Sequence, residues 1–89
     1  MKKSYLEITF RKGRPLAAYL YLPREADDRA HRTKRAAEGL IVDYSQDGRP
    51  IGIEITAPGN VSESAINGVL QELGLTPLEH ADLAPLQAA

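Results

Sequence analysis

The sequence predicts an α+β fold: an antiparallel sheet of about four or five strands packed by a C-terminal helix, with a second short helix. Three observations carry that reading. Side chains alternate between two faces in segments near residues 4–11, 16–22 and 40–55, which is the period of a strand with one buried face. Ile66, Val69, Leu70 and Leu73 recur at steps of three and four, the period of an amphipathic helix. The chain has 89 residues, 43% of them apolar and 26% charged, enough for one small core and too short for two. The expected organisation is a single domain over 1–89, with an antiparallel sheet core at 4–57 and a helical region at 60–84.

The elements follow in order. In residues 4–11, Leu6, Ile8 and Phe10 share one face, with Tyr5, Glu7 and Thr9 on the other. Lys12-Gly13-Arg14-Pro15 is a turn signal. Residues 16–22 put Ala18, Leu20 and Leu22 on one face and Ala17, Tyr19 and Tyr21 on the other. Two antiparallel strands joined by a short loop are expected. Residues 24–38 support two readings. Ala, Arg and Glu favour helix, Pro23 suits a helix start, and Glu25–Arg29 and Asp28–Arg32 are spaced as helical ion pairs. The segment lacks an apolar stripe, so the other reading is a loop to about residue 30 and a polar edge strand over 31–37.

Leu40-Ile41-Val42-Asp43-Tyr44 and Ile51-Gly52-Ile53-Glu54-Ile55 read as a hairpin. Its loop is Ser45-Gln46-Asp47-Gly48, a type I turn with Gly48 at positive φ. The expected register sets Tyr44 opposite Arg49, Val42 opposite Ile51 and Leu40 opposite Ile53. It places Leu40, Val42, Ile51, Ile53 and Ile55 on the core face and leaves Ile41 half-covered outside. Ala57-Pro58-Gly59 breaks the strand. A helix over 61–73 follows, capped by Asn60 or Ser62 and ended by Gly74. Gly68 inside it suggests close packing on the sheet. Thr76 as cap, Pro77 and Glu79 predict a short helix to Leu83, stopped by Pro85.

Composition excludes several chemistries. With no cysteine there is no disulfide framework, thiolate nucleophile or Cys-based zinc site. No apolar signal-peptide core follows the basic N-terminus, and the longest apolar run, Leu16–Leu22, is seven residues, far below the roughly twenty of a membrane span. A cytoplasmic protein is expected. His31 and His80 lack ligand-spaced companions, so no metal is expected, and no phosphate-binding loop or nucleophile elbow occurs. Asp43 and Glu54 are near each other in the expected hairpin. They read as outward polar residues beside a turn, with Tyr44 and Arg49 packed across it, rather than as an acid–base pair. Charge is uneven: residues 1–35 carry +6 and residues 36–89 carry −7.

The run from Gly39 to Ile55 resembles the small bacterial proteins of domain-of-unknown-function family 2283. Asp43-Tyr44, Asp47-Gly48 and Gly52-Ile53-Glu54-Ile55 carry the likeness, and Ala18-Tyr19-Leu20-Tyr21-Leu22 is similar to the family's preceding strand. The likeness covers residues 4–57 and departs at the charged insert near 24–30. It implies an antiparallel sheet and a strand over 31–37. It implies no activity, cofactor or catalytic residue. Such chains resemble small accessory proteins, antitoxin-like binding partners.

The expected function is a non-enzymatic interaction module without a cofactor, which self-associates as a homodimer or binds a small protein partner. Tyr5, Tyr19, Tyr21 and Ile41 form its outer patch. Arg29, Arg32, Lys34 and Arg35, with His31, form the best anion-binding cluster, since guanidinium groups suit phosphate and carboxylate. RNA or DNA binding through that segment and the tyrosines is the alternative. A minimal enzyme is the third reading. In a homodimer, either basic 29–35 meets acidic 72–82 of the other copy, or the apolar surface carries the contact.

Overall fold

The computed structural model describes residues 4–87; Met1, Lys2 and Lys3 of the basic half lie outside the described residues. Five strands form one antiparallel sheet: β1 (Tyr5–Arg11), β2 (Arg14–Tyr21), β3 (Arg32–Ala37), β4 (Leu40–Tyr44) and β5 (Pro50–Ile55). Their spatial order is β1-β2-β5-β4-β3. Helix α1 (Glu63–Glu72) and the short α2 (His80–Leu83) follow, with 3-10 turns at Pro58–Asn60 and Ala84–Gln87. Among the described residues no helix is long and apolar enough to cross a membrane.

The ambiguous segment resolves into a loop and an edge strand. Residues 22–31 cross the ends of β5 and β4, tied by Leu22 N–H to the Ile51 carbonyl (3.1 Å) and His31 N–H to the Tyr44 carbonyl (2.8 Å). β3 is almost wholly exposed. Its charged side chains cannot build a helix's buried stripe, but they suit a sheet edge, where they oppose further pairing. The ion pairs of the helical reading do not form: Asp28 faces Arg49 instead, and Arg29 donates to the Asp28 carbonyl.

The β4–β5 hairpin corrects the expected register. Val42 pairs with Ile53, not Ile51; Leu40 pairs with Ile55; Tyr44 pairs with Pro50, not Arg49. The ladder shifts between Asp43 and Tyr44, leaving Ile51 as an extra residue in a bulge. A shift of two preserves the face of every side chain, so apolar alternation cannot detect it. Leu40, Val42, Ile53 and Ile55 accordingly still point into the core, and Ile51 is fully buried. Gly48 has φ +90 as expected, a conformation costly for residues with a Cβ.

The core lies on one side of the sheet. Ala18, Leu20, Leu40, Val42, Ile53 and Ile55 meet Ile66, Val69 and Leu70 of α1, together with Val61, Leu83 and Leu86. Leu73 is only partly buried at the edge of this cluster. Each fully buried Leu or Ile contributes roughly 1.5–3 kcal/mol. Phe10 departs from expectation. A register shift between Thr9 and Phe10 carries it past the core, and it is half exposed.

The helical region has its own corrections. Ser62, not Asn60, caps α1, accepting from Ala65 N–H at 3.0 Å. The helix ends as predicted at Gly74: Leu75 N–H bonds the Leu70 carbonyl and Gly74 N–H the Gln71 carbonyl. This is the Schellman arrangement. Gly68 is not closely packed, because a Cβ there would meet nothing within 4 Å. The short helix starts at His80 rather than Pro77, with Glu79 and Asp82 forming a reciprocal capping box. The Asn67 side chain explains the delay. It accepts from Leu78 N–H (2.8 Å) and donates to the Leu78 carbonyl (3.1 Å), occupying the carbonyl that a helix starting at Pro77 would use. Pro85 does not end the chain's turning: a 3-10 turn runs through it to Gln87 and seats Leu86 in the core.

Candidate functional site

Among the described residues, no other element covers the face of the sheet opposite the core. Strand pairing arranges it in rows, because directly opposed residues point to the same side. One row crosses all five strands: Glu7, Tyr19, Glu54, Ile41 and Arg35. The next is Tyr5, Tyr21, Gly52, Asp43 and Thr33. The expected patch of Tyr5, Tyr19, Tyr21 and Ile41 therefore lies on one surface, with Ile41 half-covered.

The tyrosines are in mutual contact. Tyr5 stacks on Tyr21 with ring centroids 4.4 Å apart and 11° between planes. Tyr19 meets Tyr21 edge-on at 4.7 Å. The Arg24 guanidinium lies 5.3 Å from the Tyr21 ring centre while donating to the Ile51 carbonyl. Such ring pairs and cation–π contacts each add about 0.5–1.5 kcal/mol to simple burial, so this face is preordered.

At its centre, Tyr19 lies flat over Gly52. A Cβ at residue 52 would overlap the phenol. With no side chain in the way, the hydroxyl crosses β5 and donates to Asp43 Oδ2 at 2.7 Å. Burial, and then the Asp43 carboxylate, push the Tyr19 hydroxyl well above the usual tyrosine range. It remains a hydrogen-bond donor at physiological pH. Asp43 and Glu54 are not opposed: Asp43 faces Gly52, and Glu54 faces Ile41. Tyr21 is likewise raised, chiefly by the Glu7 carboxylate that its hydroxyl approaches.

The basic segment does not form one cluster. Register places Arg32 and Lys34 on the helix side of β3, and Arg35 with Thr33 on the outer side. Arg32 lies 5.0 Å over the Tyr44 ring, and Arg29 sits in the crossing loop. Tyr44 is paired across the hairpin with Pro50 rather than Arg49. Arg49 turns into a second polar site that sequence reasoning missed. Its guanidinium makes paired bonds to Asp28 (2.7 and 3.1 Å) and to Asp47 (2.9 and 3.1 Å). Ser45 Oγ donates to Asp47 and accepts from Arg49 N–H. These bonds hold the Asp47 carboxyl down at about 2 and lower Asp28 as well. A depression of about 460 Å³, lined by Asp27, Asp28, His31, Gln46 and Asp47 among others, lies beside this network. Its Asp28 and Asp47 carboxylates are both held by Arg49, so the network reads as a clasp between loop and turn. Asp28 and Arg49 are 21 residues apart, and no local spacing signals their pairing. Among the described residues, no group of three or more His, Asp or Glu is placed to hold a metal ion.

Residues 17–57 match the family model described as "Protein of unknown function (DUF2283)". The matched span contains Tyr19, Asp43 and Gly52, as well as Asp28, Asp47 and Arg49. No curated protein and no solved structure matches the chain.

Proposed function

We propose, for a chain that belongs to the DUF2283 family through residues 17–57, that it is a non-enzymatic interaction module which forms a homodimer through its outer sheet face. The observation that carries this is the five-strand row Glu7–Tyr19–Glu54–Ile41–Arg35. It has an acid at one end, a base at the other, and Tyr19 and Ile41 between. A two-fold axis lying in the interface, parallel to β5, sets the row against its own reverse. Glu7 then meets Arg35 of the other copy, and Tyr19 meets Ile41, each contact occurring twice. An axis along the row would instead set β1 on β1 and β3 on β3, where Glu7 and Arg35 gain no opposite charge. Charge therefore favours the first orientation, and the aromatic contact supplies unscreened apolar burial. Glu54 lies near the axis in this arrangement and limits affinity.

The nucleic-acid reading through residues 29–35 lacks comparable support, because that cluster divides between two faces. A cysteine-free chain suits a reducing compartment, and the proposal places the module in the bacterial cytoplasm.

Sedimentation equilibrium across micromolar concentrations tests the dimer. A dimer persisting in high salt is expected. Glu7→Arg weakens it, and Glu7→Arg combined with Arg35→Glu restores it. A monomer at all concentrations refutes self-association and leaves a small protein partner as the occupant of this face.

A further inference from the structure

We infer that the end of the β1–β2 hairpin is a nucleic-acid-binding arm that enters the major groove of B-form DNA. The inference is independent of the dimer. β2 pairs with β5 only over Ala18–Tyr21, so Arg14–Ala17 and the residues opposite them form a two-stranded ribbon beyond the sheet. At about 3.3 Å per residue, four residues extend about 13 Å. The ribbon carries Arg11, Lys12 and Arg14, all exposed. No acidic residue occurs from Ile8 to Pro23, and among the described residues none of the three cations has an acidic partner. Beside them stand Phe10 and Leu16, 50% and 52% exposed. With Tyr5 these are the exposed large hydrophobic residues among the described residues, and all three lie on this hairpin.

Two features show that the charges do not serve folding. Arg11 and Arg14 are directly opposed across the ribbon, where like charges repel. Lys12 takes φ +53 in the two-residue turn, followed by Gly13 at +79. That is the type I′ geometry in which Asn-Gly is favoured and a lysine is strained. An anion bound at the tip relieves the repulsion between the arginines.

The ribbon selects the kind of anion. B-DNA's major groove, about 12 Å wide, admits a two-stranded β-ribbon, whereas the deep, narrow major groove of A-form RNA does not admit side-chain readout. The three cations meet phosphates, and Phe10 and Leu16 offer apolar surface to thymine methyl groups.

Fluorescence anisotropy with a labelled duplex of about 20 base pairs provides the test. Three phosphate contacts give a slope of log K on log salt near −2.7, or about forty-fold weaker binding from about 50 to about 200 mM salt. Each of Arg11→Gln, Lys12→Asn and Arg14→Gln reduces that slope by about 0.9, and the triple variant loses binding at low salt. Lys12→Asn and Arg14→Gln at the same time raise the melting temperature by a few degrees, which separates lost binding from lost folding. No affinity for the duplex at low salt overturns the inference. So does a triple variant that binds as the parent does, a melting temperature that falls in both variants, or tighter binding to a single strand of the same length or to phosphatidylglycerol vesicles.

Discussion

Gly52→Ala isolates the contact on which the outer face is organised. A Cβ at residue 52 would stand 2.5 Å from Tyr19 Cε2 and closer still to the ring carbon and hydroxyl beyond it, against an ordinary carbon contact of about 3.5–4 Å. The obstructing atoms are the far end of a side chain, so the backbone need not move. Tyr19 must leave instead, and it takes with it the 2.7 Å hydrogen bond to Asp43. A bond to a charged group contributes about 1.5–3 kcal/mol. The site is half-buried, and replacing Gly in a strand recovers roughly 0.5–1 kcal/mol of chain entropy. The net loss is therefore about 1–2 kcal/mol, or a fall in melting temperature of roughly 4–16 °C for a domain this size. Thermal denaturation by circular dichroism measures it directly. In a Tyr19→Ala background the obstruction and the bond are both gone, so Gly52→Ala becomes neutral or slightly stabilising. The double-mutant cycle then shows a coupling of at least 1 kcal/mol or so. Equal destabilisation in both backgrounds would refute the close approach of Tyr19 to Gly52.

Three further outcomes are expected. Gly68→Ala stabilises the protein by about 0.5–1 kcal/mol in a denaturant melt, since glycine inside a helix loses more entropy than alanine and the space is open. Leu83→Ala costs about 2–5 kcal/mol, because Leu83 is wholly buried in the core cluster although α2 is a single turn. The Arg49 clasp gives an acid-sensitive contribution. Asp47 titrates at about 2 in the folded chain and near 3.9 unfolded, so its stabilisation is complete above about pH 4 and is lost as pH falls toward 2. Ser45 holds Asp47 down most and Arg49 next, whereas Arg49 is the chief cause for Asp28, so the melting-temperature gap between the parent and Arg49→Met is constant at neutral pH and narrows as pH falls below about 4; a gap that does not narrow toward about pH 2 contradicts the clasp.

Part of the site was legible before folding. Tyr5, Tyr19 and Tyr21 occupy alternate positions in two segments with strand periodicity, and a period of two assigns them a common face once those strands pair in register. The role of Gly52 was not legible. It depends on Tyr19, 33 positions away in the chain, lying across the ladder that brings β2 beside β5. The split of Arg29, Arg32, Lys34 and Arg35 follows the same logic. As a string they are one basic cluster; once folded, Arg32 and Lys34 share the helix side of β3, Arg35 faces the other way and Arg29 lies in the loop before the strand.

Properties that depend on near neighbours are written along the chain. These are the alternation that makes β1, β2, β4 and β5, the three-four spacing of α1, the positive φ at Gly48 and the helix end at Gly74. Each follows from backbone sterics or local burial within a few residues. Tertiary structure alone decided the bulge that moved Val42 onto Ile53, the late start of α2 imposed by Asn67, and the pairing of Asp28 with Arg49. It also decided that β1 and β2 would run on beyond their last pair with β5. All four depend on which distant groups meet, because hydrogen bonding and charge act through space, and local apolar periodicity is blind to both partner and register.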